Sequence, residues 1–247
     1  MIYTISVRGK LVDKPVLQFL DDNFKLIPLD QIDSLFGFVE YSPFYGGRPF
    51  SGRQLSDLDI SIMYANSIGL RLPLTNHFVS DYEYKLSIPF LDKYHRKGNS
   101  VIITEDSLAE RIKVDFPYYS REASVIKNIN TQDKITKALT LYDTVILPMH
   151  FSQDLNFLSE LEPKSKITLF ANSGCALNCP SKICYRQISK QNKFDGFSLL
   201  NTDISCSKYT VPRDSLGVVD FDLSALTSLG YNRFKLLRAT PDGYTGY

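Results

Sequence analysis

Thr131–Phe170 reads TQDKITKALTLYDTVILPMHFSQDLNFLSELEPKSKITLF, and its pattern decides the fold. Ile135, Ala138, Leu139 and Tyr142 recur at i, i+3, i+4 and i+7, the spacing of one helix face, and Thr131 stands where a helix cap belongs. The short apolar run Thr144–Leu147 follows. Ser152–Leu161 returns to helical spacing through Leu155, Leu158 and Leu161, and Ile167–Phe170 is a second short apolar run. Helix, strand, helix, strand at this spacing predicts parallel strands joined by crossover helices.

The same alternation extends in both directions. Phe36–Tyr41 (FGFVEY), Leu70–Leu74, Val101–Thr104 and Phe234–Leu237 are short apolar runs bounded by Gly, Pro, Asp, Asn or Ser. Their continuity suits strands buried on both faces. Ser56–Ile68 carries Leu58, Ile60, Met63 and Ala65 on a helical pattern behind Ser56 or Asp57, and Leu223–Leu229 ends at Gly230, a good helix stop. The number of units in 247 residues favours a TIM-like (β/α) barrel of mostly parallel strands over a doubly wound sheet. We read 1–247 as a single barrel domain.

Composition sets wider bounds. Hydrophobic residues make up 43% and charged residues 22%, ordinary for a soluble domain with a sizeable core. A net charge of +1 argues against a general polyanion binder. Arg8, Lys10, Asp13 and Lys14 interrupt any secretory h-region, and no run approaches the ~18 apolar residues of a membrane helix. The expected location is the cytoplasm, with no membrane partner.

The first 174 residues contain no cysteine, and then four fall at Cys175, Cys179, Cys184 and Cys206. Disulfides are disfavoured in a reducing compartment, which leaves metal binding or redox chemistry. The spacing C-x3-C-x4-C-x21-C gives three near thiolates and one distant one, a set that suits a [4Fe–4S] cluster. Zinc is the alternative, but structural zinc sites pair two short knuckles, and Cys184 with Cys206 is not one. Cys175 lies just past the run Ile167–Phe170, where a barrel places its ligands. The cysteines thus form an excursion, about 172–210, at the C-terminal mouth.

Other residues carry candidate chemistry. His77 and His150 follow strand-like runs and are candidate acid–base groups, whereas His95 sits in a charged, surface-like stretch. Glu40 within FVEY is a carboxylate in a run that reads as buried, so it is either catalytic or paired with an arginine such as Arg71 or Arg238. Arg48 and Arg53 flank a Gly- and Ser-containing loop and suit a carboxylate or phosphate. Asn76 either binds substrate or caps the next segment. Lys235 and Arg238 lie on or beside the last run, where strand alternation would turn one of them inward. No G-x-S-x-G, H-E-x-x-H, P-loop or G-x-G-x-x-G motif is present, so a standard serine or zinc protease has no sequence support.

The segment TLFANSGCALNCPSKICY (168–185) resembles the strand-plus-cysteine region of the peptidase U32 family. Phe38–Tyr41 with Gly46-Gly47-Arg48, the stretch from Tyr64 to Asn76, and the late GYNRFKLLR are similar to other segments of that family, so the resemblance spans about residues 36–238. Leu237 stands where the family usually has Gly before the late arginine. The resemblance implies a barrel with Cys175, Cys179, Cys184 and Cys206 as ligands of a [4Fe–4S] cluster. It further implies oxygen-independent hydroxylation of a small aromatic molecule or an RNA base, and a possible partner chain of the same family. Other members are labelled collagenase-like peptidases. A peptidase, or a non-redox binding barrel with structural zinc, is therefore the second expectation.

Overall fold

The computed structural model describes residues 1–177, 179, 184–193 and 219–238. Eight parallel strands close into a barrel in sequential order: β1 (Ile2–Ser6), β2 (Ile32–Phe36), β3 (Gly69–Leu74), β4 (Ser100–Ile103), β5 (Ser120–Ala123), β6 (Thr144–Ile146), β7 (Ile167–Phe170) and β8 (Arg233–Leu236). Closure comes from β1 pairing with β8, with Tyr3 opposite Phe234 and Thr4 opposite Lys235. The TIM-like barrel expected from the sequence is therefore the observed fold.

The helices wrap outside. They are α1 (Val16–Phe24), α2 (Asp57–Ala65), α3 (Asp81–Leu86), α4 (Ile88–Lys93), α5 (Asp106–Asp115), α6 (Gln132–Ala138), α7 (Leu155–Glu160), α8 (Cys184–Gln191) and α9 (Leu223–Ser228). Ser56 opens α2 with a reciprocal capping box through Asp59, and Thr131 caps α6 by accepting from the Lys134 amide. Asp59 also binds the buried Lys10 amine at 2.9 Å and the Val16 amide at 2.9 Å, which fixes α1 and α2 to the end of β1. Burial opposes ionisation of Asp59, but the Ser56 amide and Lys10 outweigh it and hold its carboxyl below the usual range.

Alternation along the strands divides two environments. Tyr3, Ile5, Leu35, Leu70, Leu72, Val101, Ile103, Val145 and Phe234 are buried in the main hydrophobic cluster with helix residues such as Phe19, Ile60, Met63, Leu108 and Ile112. The lower barrel interior is polar instead, with Thr4, Ser34, Arg71, Glu122, Thr144 and Thr168 bonded to one another. Partners on non-adjacent strands, such as Arg71 on β3 and Glu122 on β5, can meet only inside the barrel.

Three sequence expectations change. Phe36–Tyr41 is not a strand: β2 ends at Phe36, and residues 37–41 form the loop above it. β1 and β5 have no counterpart among the apolar runs, because Thr4, Ser6, Arg121 and Glu122 break them. In α2, Ile60 and Met63 are buried, but Leu58 is 71% exposed; in α7, Leu155 is exposed while Leu158 is buried. The cysteine excursion leaves β7 and returns beside it. Phe221 donates its amide to the Ala171 carbonyl at 3.0 Å, and Ser173 donates to that of Val219 at 2.8 Å.

Candidate functional site

A cavity of about 160 Å3 opens at the C-terminal mouth. A dry protein cavity of about 150 Å3 accommodates benzene, so this space suits one planar ring or a molecule of similar size. Strand ends supply its floor: Ser6 from β1, Phe36 from β2, Pro73 from β3, Ile102 from β4, Phe170 from β7 and Lys235 from β8. The loops add Arg8, Phe38, Tyr45 and Arg48. Cys175, Cys179, Cys184 and Tyr185 form the wall contributed by the excursion. Among the described lining residues there are three cations and neither carboxylate nor histidine.

Lys235 is buried, and its Nζ lies 4.3 Å from the centroid of the Phe36 ring. Phe36 is on β2, across β1 from β8, so the amine points into the barrel. Burial pushes the amine down to about 7; Glu122 opposes that fall, and Arg71 and Arg48 reinforce it. One level below, Arg71 Nη1 meets Glu122 Oε2 at 2.5 Å, and Glu122 Oε1 accepts from Thr168 at 2.9 Å and Thr144 at 3.1 Å. Burial raises the Glu122 carboxyl, but Arg71 and Lys235 overcome it and keep the group ionised.

Two asparagines anchor the wall. Asn76 directs its amide nitrogen to the carbonyls of Ser189 (2.7 Å), Pro43 (2.8 Å) and Tyr45 (3.1 Å), and its oxygen accepts from the Phe78 amide. Asn192 donates to the carbonyls of Arg48 and Tyr45 and accepts from the Phe50 amide. Helix α8, which begins at Cys184, is thereby tied to the loops after β2 and β3. Gly46 is required in this packing, since a Cβ there would stand 2.2 Å from the Thr75 carbonyl oxygen.

Cys175 and Cys179 are half-buried, Cys184 is buried, and all three line the one cavity. Burial raises the Tyr185 phenol, and Cys184, Cys175 and Cys179 each raise it further, so that ring lies within electrostatic reach of all three. Among the described residues, no three His, Cys, Asp or Glu side chains stand together as a holder for a single metal ion. Cys206 lies outside the described residues.

The remaining candidates fall elsewhere. Glu40 lies in the loop after β2, where it accepts from the Tyr94 hydroxyl at 2.8 Å and pairs with Lys93 at 3.3 Å. Neither Arg71 nor Arg238 is its partner. His77 is outside the mouth cavity, with Nδ1 3.9 Å from Glu105; burial, then Arg186, lowers its pKa. His150 is exposed against Phe151. His95 is partly exposed and accepts the Tyr118 amide at 2.9 Å. Arg48 lines the cavity and stacks on Phe38, whereas Arg53 is exposed near Asp57. Arg238 is buried past the end of β8, with Nε donating to the Ser173 carbonyl and Nη2 2.8 Å from Asp220. Lys235 and Arg238 are therefore both buried, and Lys235 is the one at the cavity.

Sequence reasoning missed Arg8, Tyr45, Tyr185 and Asn192 as site residues. Arg8 was visible as the first charge past the pattern Ile2–Ser6, had that pattern been read as a strand. Asn192 looks like an ordinary helix end and gives no signal by itself.

A solved structure with this architecture covers 97% of this chain and 94% of its own, with a TM-score of 0.64 at 10% identity: the U32 peptidase Mk0906. The fold is that of a U32 peptidase. The resemblance drawn from sequence thus holds at the level of architecture. No family model matches the chain, and no curated protein matches it. Among the described residues, no helix is long and apolar enough to cross a membrane.

Proposed function

We propose that this chain is an iron–sulfur protein of U32 type whose mouth cavity modifies one planar molecule, a small aromatic compound or a nucleobase, without oxygen. The observation that carries the reading is the convergence of Cys175, Cys179 and Cys184 on one single-ring cavity with Lys235 in its wall. Cys206 is assigned as the fourth ligand from its spacing. A bound cluster would supply one-electron chemistry, for which thiolate ligands are suited.

The chain's own residues do the rest. Phe36, Phe38 and Phe170 offer apolar ring faces to a planar substrate. Arg8 and Arg48 orient anionic or carbonyl groups and offset thiolate charge. Lys235, poised near neutrality, holds or releases a proton at Nζ. A peptidase reading finds less support, because no histidine or carboxylate among the described residues lines the cavity to activate a nucleophile.

Anaerobic purification followed by iron and acid-labile sulfide analysis tests the proposal. The expected result is brown protein with about four irons and four sulfides per chain, lost on replacing Cys175, Cys179, Cys184 or Cys206 by alanine. Colourless protein carrying one zinc per chain sinks it.

A further inference from the structure

We infer that Lys235 is an imine-forming amine, and that the mouth cavity captures a small aldehyde or ketone bearing an anionic group by a covalent bond to its Nζ. This use of the cavity goes beyond the cluster reading and does not involve the cysteines. Most buried lysines are held by a carboxylate. Here, among the described residues, Nζ makes no hydrogen bond or ion pair, and its near neighbour is the Phe36 ring face. Nζ instead faces a cavity lined by Phe36, Ile102, Phe170 and Leu237. An amine must be neutral to attack a carbonyl, and an apolar, cation-flanked pocket is the setting that keeps a lysine neutral.

The groups around Lys235 agree. Glu122 on β5 is the acid near it, and that carboxylate already accepts from Arg71, Thr144 and Thr168. Arg71 on β3 and Arg48 after β2 add positive charge, and Arg8 after β1 lines the same cavity. Together they leave the amine near half-protonated at neutral pH. The arginines also define the ligand: a cavity with Arg8 and Arg48 and no acid in its described lining selects a carbonyl compound with a carboxylate or similar anion.

The chemistry balances without a redox partner. The Nζ lone pair forms a bond to the carbonyl carbon, and the carbonyl π electrons move to oxygen. A proton passes from nitrogen to that oxygen to give the carbinolamine. Loss of the oxygen as water leaves the imine, so amine plus carbonyl yields imine plus water. The apolar walls disfavour the reverse hydrolysis by limiting water.

Reductive trapping tests this on the full chain. 4-Formylbenzoate and sodium cyanoborohydride are added from pH 5 to 9, and carboxybenzyl groups are located by peptide mass spectrometry. At pH 7, Lys235 should label at least about tenfold faster than the mean of the other lysines. Its rate should level off above pH 7. Neutral benzaldehyde should label it several-fold more slowly, and urea-unfolded protein should show no preference. Equal labelling of Lys235 and the other lysines in folded protein overturns the inference, as does a preference that survives unfolding. Lys235→Arg should lose the label at this position while circular dichroism reports its fold. The comparison among lysines of one wild-type chain stands even if that variant misfolds. Repeating the reaction on chelator-treated protein, with iron and sulfide measured in parallel, separates failure of the imine from failure of the cluster.

Discussion

Two levels of the same barrel treat buried charge in opposite ways. In the lower interior, Arg71 contacts Glu122, Asp33 and Ser34, and Glu122 also accepts from Thr144 and Thr168. At the mouth, Lys235 has no such partner among the described residues and rests over an aromatic ring. The lower set therefore acts as structure, since each ionised group is satisfied by others that cannot move away. The upper amine costs stability to keep, and that is the mark of a group retained for chemistry.

Breaking the lower level should have the largest effect. Glu122→Ala removes the buried carboxylate of Arg71 and leaves it only the more exposed Asp33, and loss of one partner of a buried pair costs about 3–5 kcal/mol. Urea unfolding should report that drop, or the variant should fail to accumulate as folded protein. A cost under about 1 kcal/mol would mean that water reaches Arg71 from below.

Relieving the upper level should act in the opposite direction. The Lys235 amine titrates near 10.5 when unfolded and near 7 when folded. Between those values the unfolded chain holds the extra proton, so stability falls as pH drops from about 10.5 to 7 and stays low beneath it. Lys235→Met removes that penalty. At pH 6 it should be more stable than wild type by roughly 3 kcal/mol, with the gain shrinking toward pH 10. Thermal unfolding across pH checks the sign, and a destabilised variant at pH 6 would place the amine among the structural charges.

The smallest effect concerns the wall that separates the cavity from solvent. Asn192→Ala removes donors to the Arg48 and Tyr45 carbonyls and an acceptor for the Phe50 amide, for a cost of about 1–2 kcal/mol. The loss should be local. Amide exchange should quicken in Cys184–Gln191 and in the loop after β2, and leave the lower barrel unchanged.

The same contrast explains what the sequence disclosed. β4, β6 and β7 read clearly as SVII, TVI and ITLF, because few polar residues interrupt them. β1 and β5 read poorly as IYTIS and SREA, because their inward positions belong to the polar interior. FGFVEY looked like a strand because Phe38 and Val39 are apolar and buried, yet they are buried as a loop packed over the mouth. Cys175, Cys179, Cys184 and Lys235 were legible as candidate residues, and the barrel rule placed them at the end where the mouth cavity opens. That Asn76 and Asn192 anchor the wall was not legible. Their partners are backbone carbonyls 31 to 147 positions away in the chain, and a carbonyl carries no side-chain signature.

The pairing of β1 with β8 has a consequence for the site. Arg8 follows the first strand and Lys235 sits on the eighth, so no part of the chain short of β8 contains a finished cavity. The three cysteines at 175, 179 and 184 precede that strand in the chain, so a chain that stopped short of β8 would carry them without the strand that closes the barrel behind them.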